Sequence, residues 1–447
     1  MIVMKFGGTS VGSPERIRDV TEIVKERLRR RPIVVVSALS GVTDRLILAG
    51  KEAAGGGDWM KRYEEIVARH KTMVAELGLP EDLPGKDLAL LRKVLRSVSA
   101  SGKLSDRKYA VVVSFGERMS SKIVAANLLR SSISARAVNL FEVGLLTNSD
   151  AMDAQPLQSC YADMAKKLKS TEGVPVVTGF LGANRRGHIT TLGRGGSDFT
   201  ATIIGAAVDA AEIEIWTDVS GIMTADPRVV PDARVIGKIS LAEAAELAYF
   251  GANVLHPKTL LPAMENRIPV RILNTFRRHD AGTLIVPYRR ETQDVVKAIA
   301  AKKGVTVISV TSLRMLDAYG FLARVFEVFG KHRVSVDVIS TSEVNISLTV
   351  DQKEEIECVV AELSDIAEVS VREDRAIVCV VGEGMRREPG IAGRIFCRLG
   401  EKNMNVEMIS QGASEINISF IVCEEDADQA VRILHDEFFG KKAGSDG

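Results

Sequence analysis

Residues 320–340, GFLARVFEVFGKHRVSVDVIS, and residues 390–410, GIAGRIFCRLGEKNMNVEMIS, carry one pattern twice at an offset of 70. Gly320/Gly390, Arg324/Arg394, Phe326/Phe396, Gly330/Gly400, Val336/Val406, Ile339/Ile409 and Ser340/Ser410 are identical pairs. After a two-residue insertion, SEVNIS (342–347) matches SEINIS (414–419). Ordered matches of this kind mark two copies of one supersecondary unit. Each copy reads strand, helix, strand, strand, helix. The first continues into a further strand, AEVSVR (367–372), whereas the second ends in the polar tail GKKAGSDG. The second copy's sheet is therefore one strand short. VVKAIA (295–300), which lies before the first copy, is predicted to supply it and so to interlock the two.

The first 285 residues have another texture. IVMKF (2–6), PIVVVSA (32–38), YAVVVSF (109–115), VPVVTGF (174–180), AEIEIWT (211–217) and PVRIL (269–273) read as buried strands. Helical stretches at 14–30, 117–130, 199–208 and 241–250 separate them. This alternation predicts a mostly parallel sheet covered by helices on both faces, with ligands at the carboxyl ends of the strands. Length suggests two to four domains. A hydrophobic fraction of 46% is ordinary for packed cores. Lys plus Arg number 59 against 58 Asp plus Glu, which argues against nucleic acid or an anionic membrane as a bulk partner. The five cysteines form no C-x-x-C, so buried thiols in a reducing compartment are expected. The absence of a signal-peptide pattern before the first strand points to the cytoplasm.

Five stretches carry chemistry. In MKFGGTSVG (4–12), Gly7 and Gly12 have P-loop spacing, but no Lys-Ser/Thr follows. Lys5 instead precedes Gly7 and Gly8, so the cation would come from the strand and the bare N–H groups from the glycines. In TTLGRGGSDFTATIIGAAV, Gly193, Gly195 and Gly196 crowd before Ser197 and Asp198. Ser197 or Asp198 is expected to cap a helix beginning near Phe199. Asp198 has the alternative of orienting a lysine or a metal, and Arg194 suits a carboxylate or phosphate. Thr217 and Asp218 end a strand, and Asp226-Pro227-Arg228 forms a turn carrying a base. Ser37, Ser40, Gly41 and Thr43 follow another strand. Glu117 is read as opening a helix, either compensating its dipole or binding a substrate's ammonium. The six histidines form no ligand pair, so zinc is not expected and His256 is read as structural.

Together KFGGTSV (5–11), TLGRGGSDFTA (191–201), WTDVSGIMTADPR (216–228) and FGANVLHPKT (250–259) resemble the signature segments of the aspartokinase family, and the repeat resembles its tandem ACT regulatory domains. The resemblance covers essentially the whole chain. It implies an α/β amino-acid kinase fold over residues 1–285, a linker and completing strand at 286–303, and two α+β ferredoxin-like ACT domains at 304–374 and 375–447. It implies transfer of phosphate from ATP, with Mg2+, to L-aspartate, giving 4-phospho-L-aspartate for lysine, threonine and methionine synthesis. Position by position, it assigns Lys5, Gly7 and Gly8 to the phosphates. Ser37, Thr43, Glu117, Phe180, Arg194, Gly195, Ser197 and Asp198 go to the aspartate side, with Lys5, Asp198 and Arg194 as the catalytic set. Thr217, Asp218, Met223, Arg228, Asn253 and Lys258 go to the nucleotide, and no side chain is assigned as a direct metal ligand. Two positions depart from the pattern: many relatives have Tyr at 223 and Lys at 253. On a continuous helix Lys258 would stand about 140° round from Asn253. The effector contacts implied are Tyr319, Gly320, Phe321, Leu322, Ser335, Asp337, Thr341, Ser342 and Glu343, for lysine in preference to threonine. Association into at least a homodimer through the ACT units is also implied. The alternatives are an amino-acid kinase with another acceptor, or a sensor that kept the fold without turnover.

Overall fold

The computed structural model describes residues 1–250, 255–287, 294–315, 319–351, 356–412 and 415–440. They fall into two compact units. The first lies within Met1–Ile222, Gly237–Leu241 and Val254–Tyr288, and the second within Met223–Ile236, Ala242–Asn253 and Arg289–Gly447.

The first unit is built on an eight-stranded sheet. Its strands are β1 (Ile2–Phe6), β2 (Pro32–Val36), β3 (Ala135–Val138), β4 (Val174–Thr178), β5 (Glu212–Thr217), β6 (Lys238–Ser240), β7 (Val270–Asn274) and β8 (Thr283–Val286), in the order β3-β4-β2-β1-β5-β7-β8-β6. Every pair is parallel except β7–β8. All five residues of β1 and of β2 are buried, as two-sided helical cover requires. The chain steps from β1 to β2 on one side and returns through β5 on the other, with Lys5 level with Val35 and Ile215. That reversal opens a crevice beyond Phe6 and Thr217, the position where such sheets hold ligands.

The helices that matter to the site are α1 (Pro14–Arg27), α2 (Val42–Gly55), α3 (Trp59–Glu76), α4 (Asp106–Arg130) and α5 (Gly196–Val208). Ser13 caps α1, accepting from the N–H of Arg16, and Pro14 takes the first helical position, where no N–H is needed. The expected strand at 109–115 does not form, because these residues lie inside the 25-residue α4. This helix is buried around most of its circumference, so its apolar residues form no stripe and Val111–Val113 read like a strand. Its cap at Ser105 was the available signal.

In the second unit a six-stranded sheet runs β10-β11-β9-β12-β14-β13. The strands are β9 (Ala298–Thr311), β10 (Val336–Thr341), β11 (Asn345–Asp351), β12 (Glu368–Val381), β13 (Met408–Ser410) and β14 (Asn417–Cys423). The two 14-residue strands β9 and β12 are shared by both repeats. Residues 298–303 pair with 376–381 beside the second copy, while residues 307–311 pair with 368–372 beside the first. Each copy has its own apolar core, and that of the second copy also takes in Ala225 and Val230. No helix among the described residues is long and apolar enough to cross a membrane.

Candidate active site

The crevice at the end of β1 is lined by what the local sequence dictates. Gly7 N–H donates to the carbonyl of Trp216, and Ser10 and Val11 N–H turn back onto Gly7 O at 3.0 and 3.2 Å. The N–H groups of Gly8 and Thr9 then have no partner among the described residues. Unpaired amides at a strand end form an anion cradle. A Cβ on Gly8 would stand 3.2 Å from the carbonyl of Ala38, so glycine lets this loop lie against residues 38–40.

Lys5 is 8% exposed, and its ammonium lies 2.6 Å from the carboxylate of Asp198. Asp198 thus orients a lysine, the second of its two sequence readings. The capping expectation is corrected: α5 opens at Gly196 with Gly195 as its cap (φ +70°), placing Ser197 and Asp198 inside the first turn. The glycines have steric work here. A Cβ on Gly195 would meet Thr259 at 2.9 Å, and one on Gly196 would meet Phe180 at 2.5 Å. Ser197 Oγ would lie 2.6 Å from a Cβ on Gly179. Phe180 itself adopts φ +68°, a left-handed conformation rare for an aromatic residue outside functional sites. Arg194 is exposed and has no ion pair among the described residues.

Glu117 does not begin a helix. It sits in the middle of α4, which removes the dipole-compensation reading. One carboxylate oxygen accepts the N–H of Ala38 at 3.2 Å, and the other is buried without a partner among the described residues. Burial pushes this carboxyl up to about 8, against the pull of the Ala38 N–H. A buried acid with one free oxygen beside Ser37 suits an incoming ammonium. The neighbouring Gly116 makes this approach possible, since a Cβ there would stand 2.7 Å from that of Ala38. Gly116→Ala is expected to destabilise the first unit by about 1–3 kcal/mol through overpacking, read as a lower urea midpoint.

Thr217 ends β5 and Asp218 follows it, with Thr217 Oγ1 donating to Asp218 Oδ1 at 3.2 Å. Lys258 turns to Asp153 at 2.6 Å. Asn253 lies outside the described residues. The continuous helix on which Lys258 was placed relative to it is not there: α6 (Leu241–Tyr249) ends before it, and α7 (Pro257–Glu265) begins after His256, its cap. Met223 and Arg228 belong to the second unit, where Arg228 pairs with Asp226 at 2.6 Å.

Among the effector candidates, Tyr319, Ser335, Thr341, Ser342 and Glu343 are exposed. Gly320 caps α8 (Phe321–Lys331) with φ +80°, leaving Phe321 buried and Leu322 44% exposed. Asp337 is the exception: its side chain is 4% exposed and held by Lys302 Nζ and Tyr249 Oη, each at 2.6 Å. Burial pulls the Lys302 ammonium down, but Asp337 and Asp351 outweigh it and hold it above the usual lysine range. Nothing in the sequence pointed to Lys302 or Tyr249, because their roles exist only once β9, β10 and α6 are brought together. α6 also binds the second copy, where Asn417 donates to Glu246 and the N–H of Glu383 to Glu243.

Comparison with known proteins agrees with this geometry. The amino acid kinase family model matches residues 1–274, and the ACT domain model matches 308–363 and 378–438. Chloroplastic aspartokinase 3 of Arabidopsis thaliana is 41% identical over 98% of this chain and 81% of its own length. The structure of Escherichia coli aspartokinase III with aspartate and ADP (R-state) matches at 34% identity and a TM-score of 0.84, covering 98% of this chain and 100% of that one. Its complex with lysine and aspartate (T-state) matches at 34% identity and 0.81, covering 98% and 99%.

Proposed function

This chain belongs to the aspartokinase family, and from that membership we propose that it transfers the γ-phosphoryl of ATP to the β-carboxylate of L-aspartate, giving ADP and 4-phospho-L-aspartate. The observation that carries the reading is the Lys5–Asp198 pair beside the unpaired Gly8 and Thr9 amides. An aspartate side chain is already ionised at neutral pH, so its oxygen attacks phosphorus without a general base. The difficulty is to bring two anions together and to hold charge on the phosphoryl oxygens. Lys5 and the loop amides answer that need, and Asp198 keeps the ammonium in place. Arg194 takes the α-carboxylate, and Glu117 the α-ammonium. Thr217 and Asp218 meet the nucleotide. Magnesium would arrive on the nucleotide's phosphates and neutralise them. ADP release that requires aspartate tests this. Release unchanged when aspartate is omitted would overturn it.

Regulation by an amino acid bound to the ACT units accompanies the family, and lysine is the effector we favour. The E. coli relative was crystallised with lysine and aspartate. Leu322, Phe326, Ile339 and Ile409 expose large apolar side chains on the repeats, which supports a homodimer or larger assembly through them. The enzyme would work in the cytoplasm. L-Lysine is expected to suppress turnover and L-threonine to leave it unchanged. Tyr249→Phe removes the hydrogen bond from α6 to Asp337 and is expected to raise the lysine concentration for half-inhibition about fivefold or more, with uninhibited turnover unchanged. Equal inhibition of both enzymes in a lysine titration would contradict this role for Tyr249.

A further inference from the structure

A cavity of about 610 Å³ lies in the first unit beside the glycine loop, and of the residues placed in the proposed phosphate and aspartate sites only Thr9 lines it. Its lining includes three arginines, Arg16, Arg45 and Arg69, and no acidic residue. They come from three helices, α1, α2 and α3. Each is anchored by a contact that leaves most of its N–H groups without a hydrogen bond among the described residues. Arg69 donates one to the carbonyl of Gly12, and Arg45 one to that of Gly41 at 3.3 Å. Arg16 stacks over the ring of Phe276 at 3.7 Å. The nearest carboxylates neutralise them poorly. Asp19 is 3.5 Å from Arg16, and Glu65, already bonded to Arg62 at 3.1 Å, is 3.9 Å from Arg45. Arg69 has no ion pair, and the hydroxyls of Thr9 and Ser40 have no partner, among the described residues.

We propose that this cavity binds a small phosphate-bearing dianion, either free phosphate or the phosphate of a monoester metabolite. Two guanidinium forks saturate a planar carboxylate, whereas three arginines from separate helices lining one space suit a tetrahedral group with three oxygens to share. The cavity also backs onto the catalytic cradle. A Cβ on Gly12 would stand 3.2 Å from both Gly8 O and Ser40 Cβ, so the two anion sites share the loop at 7–13. An anion held by Arg69 and Arg16 would stiffen that loop from outside without entering the catalytic position.

The test is the thermal shift and calorimetric affinity of the full-length enzyme for inorganic phosphate and glycerol 3-phosphate at constant ionic strength, with acetate as the carboxylate control. Because the cradle also binds phosphate, the measurement is repeated in Lys5→Met. The response is expected to survive Lys5→Met and to exceed that to acetate. It should weaken about tenfold or more in Arg16→Gln/Arg45→Gln, through lost charge-assisted hydrogen bonds, with unchanged turnover in phosphate-free buffer. The single variant Arg45→Gln serves if the double does not fold. Tighter binding of one probe identifies the source of the phosphate. A response lost in Lys5→Met, undiminished in the arginine variants, or matched by acetate or sodium chloride would overturn the proposal. The first of these would return the signal to the cradle while leaving the kinase reading intact.

Discussion

Lys5→Met is expected to fold and to lose turnover by about 10²–10³-fold or more, the scale on which single charge-stabilising donors act. Methionine keeps the unbranched stem on a fully buried strand, so β1 retains its packing. What disappears is the ammonium held against Asp198 at the mouth of the glycine loop. The substitution also strands Asp198, whose side chain is 16% exposed. Breaking a largely buried pair from one side destabilises, because the remaining charge has no compensation. Lys5→Met/Asp198→Asn should therefore recover much of the melting temperature and none of the turnover. Steady-state kinetics at saturating ATP and aspartate, run beside thermal melts, separate the two effects. Turnover within about tenfold of the parent in Lys5→Met would remove Lys5 from the chemistry.

Glu117→Gln is expected to raise the KM for aspartate about 10–100-fold, the loss of one charge-assisted hydrogen bond, with a smaller change in kcat. Its pH behaviour is more diagnostic. The carboxyl of Glu117 titrates near 8 in the fold, against an ordinary value of 4.5. An acid raised in this way contributes stability that is full below pH 4.5 and lost as pH rises through 8. Glutamine cannot ionise, so the parent should lose melting temperature relative to Glu117→Gln as pH rises from about 5 to 8 and level off above it. Aspartate's ammonium binds the ionised carboxylate, so binding near pH 7 should release a proton and tighten as pH approaches 8. Calorimetry in buffers of different ionisation enthalpy counts that proton. No proton release, with an unchanged KM in Glu117→Gln, would leave this acid a structural one.

Much of this was legible in the sequence because backbone demands leave marks. The two glycine clusters, the lysine placed before Gly7, and the repeat with its missing strand each reflect a local constraint. β1, β2, β4, β5 and β7 announced themselves as short β-branched runs between helices. The strand expected at 109–115 failed because a helix buried nearly all round shows no 3.6-residue stripe. That one error also misplaced Glu117 at a helix start and hid its burial. The cap of α5 was misread for a related reason: Gly195 caps through its left-handed backbone, while Asp198 is spent on Lys5. The partnership of Tyr249, Lys302 and Asp337 was invisible, since it joins three elements far apart in the chain. Arg16, Arg45 and Arg69 come from three separate helices, so only the fold sets them around one space.

The measurement that tests the central claim most directly is trapping of the acyl phosphate. The enzyme, MgATP and hydroxylamine are incubated with L-aspartate, L-glutamate, N-acetyl-L-glutamate or no acceptor, and the hydroxamate is identified by mass. β-Aspartyl hydroxamate is expected, formed in step with ADP and only when aspartate is present. ADP formed without hydroxamate, or hydroxamate formed equally well from glutamate, would contradict it.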